Sequence, residues 1–125
     1  MAGRPRRYLQ SQIERDLTRK MVFLAGPRQV GKTTLARSLP GGEVGYLGWD
    51  DPGDRARILA RELPDAPLWT FDELHKYRRW RAFLKGLFDK RAPGRRILVT
   101  GSARLDFYRF GGDSLQGRYH VIPCP

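Results

Sequence analysis

The stretch Gly26-Pro27-Arg28-Gln29-Val30-Gly31-Lys32-Thr33-Thr34 decides how the rest of the chain is interpreted. It fits the spacing G-x-x-x-x-G-K-[ST], in which a glycine-rich loop surrounds phosphate oxygens with backbone N–H groups. The apolar run 21–25 comes before it, and residues 34–39 after it have helical character. Strand, glycine loop and helix follow in the order that this chemistry needs. The stretch is therefore interpreted as a P-loop, or Walker A motif.

Each fixed position of the loop has a physical role toward a nucleotide. Gly26 and Gly31 leave the backbone N–H groups open to the anion, because glycine has no side chain to block them. Lys32 is a mobile positive charge for the β- and γ-phosphates, and the Thr33 hydroxyl can complete the shell of a Mg²⁺ ion. The predicted nucleotide-binding residues are Gly26, Pro27, Arg28, Gln29, Val30, Gly31, Lys32, Thr33 and Thr34.

Length and composition limit the class of protein. With 125 residues, 40% hydrophobic and 30% charged, the chain has room for one soluble domain. Its longest apolar run, 21–26, is far shorter than the roughly 20 residues of a spanning helix. The single cysteine, Cys124, cannot form an internal disulfide. These features predict a cytoplasmic protein that is not in a membrane.

The net charge is the unusual global property. The chain has 24 Lys and Arg residues against 13 Asp and Glu, a net charge of +11, and a sequence pI near 10.7. The basic residues cluster at 4–7, 76–81 and 90–96. One interpretation is a nucleic-acid surface, and the other is an arginine-rich solvated face. Because no known nucleic-acid motif is present, the solvated face is favoured.

The first half of the chain reads as alternating helices and strands. Residues 1–7 are expected to form a disordered basic arm, and the spacing of Leu9, Ile13 and Leu17 predicts a helix ending near residue 20. Residues 1–20 are thus set apart from an ATPase core at 21–125. The apolar run 21–25 shows no alternation, as in a parallel strand covered on both faces.

A second strand is predicted at 44–49, and a helix at 54–62 with Ile58 and Leu59 facing inward. Between them lie Asp50 and Asp51. These carboxylates suit either the cap of the following helix or a contact with Mg²⁺ or the attacking water. Capping explains them adequately and is preferred.

An apolar strand at 67–73 ends in Asp72 and Glu73, which is the Walker B form. At the carboxyl end of a strand beside the P-loop, Asp72 would hold Mg²⁺ through its water shell, and Glu73 would polarise the attacking water. An acidic pair that merely ends a strand is the alternative, and the P-loop upstream disfavours it. Thr70 interrupts the apolar run and predicts weaker burial at that point.

The second half continues the pattern. Apolar residues at 80, 83, 84, 87 and 88 predict one buried helix face. His75 is interpreted as an ordinary loop residue in preference to a nucleotide sensor. A fourth strand at 95–102 ends in hydroxyl groups, and Thr100 or Ser102 could read the γ-phosphate or its water. A short helix at 104–109, a turn at 111–113 and a fifth strand at 119–122 complete the prediction.

Taken together, these residues resemble the prokaryotic AAA-type P-loop ATPases whose core is followed by a C-terminal domain of unknown function. The resemblance covers roughly residues 6–123. It is carried by the loop 26–34, Tyr46 with Trp49-Asp50-Asp51-Pro52, Asp72-Glu73-Leu74-His75-Lys76, Trp80 with 84–89, Thr100-Gly101-Ser102, and Gly117-Arg118.

The resemblance implies an α/β fold in which a five-stranded, mostly parallel sheet is flanked by helices. It also implies ATP and Mg²⁺ as ligands, a sensor position at Ser102, and a γ-phosphate or inter-subunit role for Arg118. Two departures are visible: His75 stands where the family usually has glutamine, and the family's C-terminal domain is absent. A fragment, a truncated gene product and a free-standing core all fit that absence.

Three functions are weighed. The leading one is an ATPase in which Glu73, Ser102 and Arg118 act in catalysis, and Thr33 and Asp72 hold the metal. The second is a basic nucleic-acid-binding module that uses ATP as a ligand or switch. A small-molecule kinase is third, disfavoured by the Walker B glutamate, and a GTPase lacks the N-K-x-D motif. Assembly into a homo-oligomer or with a partner subunit stays open.

Overall fold

Five strands and four helices make up the fold in this computed structural model, which describes residues 3–26, 32–101 and 117–123, with backbone only for 3–7 and 123. The strands are β1 (Met21–Ala25), β2 (Tyr46–Gly48), β3 (Leu68–Asp72), β4 (Arg96–Gly101) and β5 (Tyr119–Pro123). The helices are α1 (Gly3–Leu17), α2 (Lys32–Ser38), α3 (Pro52–Ala60) and α4 (Trp80–Lys90), with a 3-10 turn at Leu74–Lys76.

All five strands are parallel and lie in the order β2-β3-β4-β1-β5. β4 therefore lies between β1, which precedes the glycine-rich loop, and β3, which ends in Asp72. The register pairs Leu24 with Thr100 and Thr100 with Asp72, so the three strands end at one edge. This confirms the α/β class and the five-stranded parallel sheet.

Helices cover both faces of the sheet, and each face has its own apolar core. On one face Phe23, Phe71 and Val99 pack with Ile58 of α3 and Phe83 of α4. On the other, residues of the same strands pack with α1 and α2: Val22, Leu24, Leu98, Ile13, Leu17 and Leu35. Every residue of β1 is buried. The unbroken apolar run of β1 is thus explained by burial on both sides.

Two helices differ from their predicted form. α1 begins at Gly3, so residues 3–7, assigned to an arm, are part of the helix. Arginine is a good helix former and proline is tolerated in a first turn, so this segment can be helical. In α3, Ile58 is buried but Leu59 is 52% exposed. Neighbouring helical residues differ by about 100° in direction, so only one of them faces the sheet.

The prediction for Thr70 was wrong. Its side chain is fully buried, because β3 lies inside the sheet and is covered on both faces. Its hydroxyl has no hydrogen-bond partner within the described part of the chain. A threonine within an apolar run is therefore compatible with a strand in the interior of the sheet.

β2 is shorter than predicted, and a glycine explains why the chain still pairs there. Gly45 accepts a hydrogen bond at its carbonyl from the Thr70 N–H, at 2.9 Å. A Cβ at Gly45 would lie only 1.7 Å from the Leu68 carbonyl oxygen. Glycine is thus required where the backbone approaches β3.

Two further predictions concern residues 104–113 and the membrane. The helix expected at 104–109 and the turn at 111–113 lie outside the described residues. Of the helices in the described ranges, none is long and apolar enough to cross a membrane.

Candidate functional site

The carboxyl edge of the sheet brings together the start of the glycine-rich loop and the acidic end of β3. The Gly26 N–H, at the start of the loop, donates to the Gly101 carbonyl at the end of β4, at 3.2 Å. Asp72, at the end of β3, pairs with Thr100 on the other side of β4. Two strand spacings separate Gly26 from Asp72, a distance of about 10 Å. The edge is therefore compact enough for one ligand to span it.

The lysine of the P-loop, Lys32, is buried. Lys32 is the first residue of α2, is 5% exposed, and donates from Nζ to the Gly26 carbonyl at 2.5 Å. Thr33 and Thr34 follow it and are exposed. The predicted site residues Pro27, Arg28, Gln29, Val30, Gly31 and Ser102 lie outside the described residues.

Asp72 is held by two hydroxyl groups. Its Oδ1 accepts from Thr100 Oγ1 at 2.7 Å, and its Oδ2 accepts from the Tyr46 hydroxyl at 2.7 Å. Both donors are neutral, and they come from the two strands that flank β3. The carboxylate is thereby fixed in direction by groups that carry no charge.

The Tyr46 hydroxyl connects this carboxylate to the P-loop helix, because it also hydrogen-bonds the Thr33 side chain. Burial, followed by the hydrogen bond to Asp72, raises the pKa of Tyr46 far above its usual range. The guanidinium of Arg37 lies over the tyrosine ring, 4.6 Å from its centre. The phenol consequently stays protonated, and one chain of hydrogen bonds runs through Thr33, Tyr46, Asp72 and Thr100.

Glu73 occupies an unusual backbone position. Its φ of 58° lies in the left-handed region, which is uncommon for a residue other than glycine. Its N–H donates to the Thr100 carbonyl at 2.7 Å, and its side chain is 8% exposed. Such local strain persists where the surrounding contacts fix it, and it is common at functional sites.

His75 contacts the Glu73 side chain, with 3.3 Å between Nε2 and Oε2. The histidine side chain is only 7% exposed. The interpretation of His75 as an ordinary loop residue did not include this contact. The 3-10 turn after β3 folds the imidazole back onto the carboxylate, which no local sequence pattern indicates.

A cleft of about 650 Å³ opens beside Tyr46 and Asp72. Five carboxylates and one arginine are among the residues around it: Glu43, Asp50, Asp51, Asp54, Asp72 and Arg37. The preferred role of Asp51 is confirmed, since it accepts from the Asp54 N–H at 2.9 Å and caps α3. Asp50 instead forms an ion pair with Lys76 at 3.0 Å.

Arg118 lies at the opposite edge. It precedes β5, and its carbonyl accepts from the N–H of Met21, the first residue of β1. Its Nε is 2.9 Å from Asp89 Oδ1, and this hydrogen bond lowers the pKa of Asp89. The length of β1 puts it about 15 Å from the carboxyl edge. The structure does not bring Arg118 to Lys32, Asp72 or Glu73, so the expected contact with a γ-phosphate in the same chain is not supported.

The remaining predicted residues lie at the carboxyl edge or in the first turn of α2, which starts there: Gly26, Lys32, Thr33, Thr34, Asp72 and Glu73. Sequence reasoning assigned no role to Tyr46, although it quoted this residue, and it missed Arg37. It named Thr100 only as an alternative reader of the γ-phosphate. The one available signal for Tyr46 was its place near the end of a strand beside β3.

The donor chemistry at this edge fits Mg²⁺. The Thr33 hydroxyl and the Asp72 carboxylate supply oxygen atoms, the ligands that Mg²⁺ prefers, and Tyr46 links them. Across the described ranges, no group of three or more His, Cys, Asp or Glu residues could hold a metal by itself. Mg²⁺ binding with only one or two protein ligands normally relies on substrate phosphates as well.

Comparison with known proteins gives a family and two relatives. A family model with the description "AAA domain" matches residues 18–124. Uncharacterized proteins of Mycobacterium bovis and Mycobacterium tuberculosis are each 33% identical over 123 residues, which cover 94% of this chain. The chain spans 28% of the length of these curated relatives.

Proposed function

Because the chain belongs to the AAA domain family, a family of P-loop ATPase-like nucleotide-binding proteins, we propose that it binds ATP with Mg²⁺ and hydrolyses it to ADP and phosphate. The observation that carries the proposal is the hydrogen-bond chain from Thr33 through Tyr46 to Asp72. It joins the helix after the P-loop to the end of the Walker B strand. A phosphate-binding element and an acidic element are thus tied into one site.

Binding is assigned to the loop 26–34. Its backbone N–H groups would surround the phosphates, and Lys32 would exchange the Gly26 carbonyl for their oxygens. A buried ammonium group with a neutral partner interacts strongly with an incoming anion, since little water screens it. Lys32 therefore supplies most of the charge that this chain offers to the β- and γ-phosphates.

Metal binding is assigned to Thr33 and Asp72. When bound, Mg²⁺ would neutralise phosphate charge and orient the γ-phosphoryl group. Thr100 and Tyr46 each hold one carboxylate oxygen of Asp72, so the carboxylate does not have to be ordered when the nucleotide arrives. This is the support that outer groups give to metal ligands.

Hydrolysis is assigned to Glu73, whose carboxylate would orient and polarise the water that attacks the γ-phosphorus, while ADP leaves. His75 holds that carboxylate, so its direction is fixed before the reaction. Ser102 is proposed to sense the γ-phosphate. An inter-subunit role for Arg118 requires that its guanidinium exchange Asp89 for a nucleotide held by a second subunit.

The proposal is tested by ATP binding and turnover of the 125-residue chain in Mg²⁺, beside Lys32→Ala and Glu73→Gln. Binding is measured with a fluorescent ATP analogue, and turnover by phosphate release. Lys32→Ala should abolish binding. Glu73→Gln should bind within about 3-fold of the parent and turn over about 100-fold more slowly, because only the activation of water is lost.

Each result has a distinct meaning. Equal losses of binding in both variants would contradict the role of Glu73 in water activation. No binding by the parent chain would overturn the nucleotide site itself. Binding without turnover would contradict hydrolysis by this core alone and assign the missing group to the rest of the protein or to a second subunit.

A further inference from the structure

A second cleft, the basic groove, lies at the amino edge of the sheet, opposite the nucleotide site. It has a volume of about 590 Å³. Four cationic residues line it, namely Arg61, Lys90, Arg91 and Arg95, and its apolar floor includes Trp69 and Phe83. The cationic residues come from the ends of α3 and α4 and from the start of β4.

The three arginines are held in place by aromatic rings. The guanidinium of Arg61 lies 4.4 Å from the Phe83 ring centre, and that of Arg95 lies 4.3 Å from the Trp69 ring. Arg91 lies 3.7 Å from the ring of Phe88. Groups that are already ordered lose little conformational entropy when a ligand binds. The groove is thus a preorganised cationic surface.

Helix capping accounts for part of this arrangement. Arg61 and Arg91 each donate to a carbonyl in the last turn of a helix, at 3.3 and 2.5 Å. The carbonyl groups that accept these hydrogen bonds are neutral, however, so they do not balance the positive charge of the two guanidinium groups. Within the described residues Arg61, Lys90 and Arg91 have no carboxylate at ion-pair distance, and Arg95 has only the fully exposed Asp65, at 3.5 Å. The groove therefore carries a net positive charge, although Asp65 lies beside Arg95 and Asp89 interacts electrostatically with Arg91.

Charge and shape together favour one class of ligand. Backbone phosphates fit the cations, and the planar guanidinium groups offer surfaces on which bases stack. An acidic peptide would satisfy the charges but has few planar groups for the floor. The net charge of +11 acts in the same direction. We propose that the basic groove binds a single-stranded segment of nucleic acid.

The test uses a fluorescently labelled oligothymidylate or oligouridylate of about 12 nucleotides and the 125-residue chain, without ATP. Binding is followed by anisotropy as the salt concentration rises from about 50 mM. Four phosphate contacts should give a slope of log K against log salt of about −3. The Lys32→Ala variant should bind equally well, so failure of the nucleotide site would not affect this result.

Gly86 allows a matched pair of variants inside the groove. A Cβ at this α4 residue would meet nothing within 4 Å, and the residue is exposed. Gly86→Glu and Gly86→Lys add side chains of similar length and helix propensity but opposite charge. Gly86→Glu should weaken binding about 10-fold and Gly86→Lys should tighten it about 3-fold at low salt.

Ala56→Glu is the control for net charge. It lowers the net charge by one, as Gly86→Glu does, but at an exposed position of α3 that does not line the groove. It should weaken binding less than about 2-fold. Equal effects of Ala56→Glu and Gly86→Glu would overturn the proposal, as would no binding by the parent at low salt. An oligoglutamate peptide of equal length that binds as tightly would assign the groove to an acidic protein segment instead.

Discussion

Two aspartates at opposite edges of the sheet are held in opposite ways. Asp72, at the carboxyl edge, accepts hydrogen bonds from two neutral hydroxyl groups, of Thr100 and Tyr46. Asp89, near the amino edge, is held by the guanidinium of Arg118. Among the described residues, the first carboxylate has no cationic side chain at ion-pair distance, whereas the second already has its counter-ion.

The difference follows from the parallel sheet. Loops after the strands of such a sheet share one edge, and loops before them share the other. A carboxylate that must meet a cation during function gains from neutral donors, because they fix it without competing for its charge. A carboxylate that only joins α4 to the residue before β5 gains from a permanent ion pair. The two aspartates thus differ both in the edge of the sheet at which they lie and in the kind of partner that holds them.

The largest expected effect comes from Asp72→Asn, set against Asp89→Asn. The amide removes the negative charge at the carboxyl edge but can still bond both hydroxyl groups, since each can donate or accept. Turnover in Mg²⁺ should fall about 100-fold for Asp72→Asn, or about 2.7 kcal/mol of barrier. Asp89→Asn should stay within about 2-fold of the parent. Phosphate release measures both, and equal losses would break the distinction between the two edges.

A smaller effect should come from Tyr46→Phe, which keeps the ring but removes the hydroxyl between Thr33 and Asp72. The carboxylate then loses one of its two orienting donors. The Mg²⁺ concentration for half-maximal turnover should rise about 10-fold, with the turnover at saturating Mg²⁺ within about 3-fold. Titration of activity with Mg²⁺ measures this.

Tyr77→Phe is the matched control for that variant. Its ring stacks on Trp49 at 4.8 Å, on the face opposite the P-loop helix. The same loss of one hydroxyl there should leave the Mg²⁺ dependence unchanged. A shift of similar size in both variants, or a fall in turnover that saturating Mg²⁺ does not restore, would contradict the orienting role of Tyr46.

Much of the carboxyl edge could be predicted because its residues follow strands with strong patterns. The apolar runs before Gly26 and Asp72, the second interrupted only by Thr70, are typical of interior parallel strands, and the structure confirms both strands. A strand was expected at 95–102, and β4 is found there, between β1 and β3 in the sheet. These predictions depend on the backbone alone, which local sequence specifies well.

Side-chain contacts between distant segments could not be predicted in this way. Tyr46 reaches Asp72 across 26 positions of the chain, and the contact exists only because Gly45 lets β2 approach β3. The contact of His75 with Glu73 depends on a left-handed residue that is not glycine. Neither the close approach of β2 to β3 nor the left-handed backbone of Glu73 produces a periodic pattern in the sequence.

The location of Arg118 was predictable, although the resemblance led elsewhere. Arg118 comes directly before a strand, whereas Lys32, Asp72 and Glu73 come after strands. In a parallel sheet these two positions are at opposite edges. Topology therefore corrects a role that was carried over by motif alone.

The smallest expected effect is on the stability that the ion pair at the amino edge provides. The hydrogen bond from Arg118 lowers the pKa of Asp89, so the folded state binds a proton less readily than the unfolded state. The stabilisation is thus present above the usual pKa of aspartate, 3.8, and is lost as the pH falls through the lower folded value. Asp89→Asn should melt slightly below the parent at about pH 7, and the two curves should converge at about pH 2. Thermal unfolding by circular dichroism at both values measures the difference. A difference that persists at low pH would mean that Asp89 acts through packing, and the two aspartates would then differ in position but not in the kind of partner that holds them.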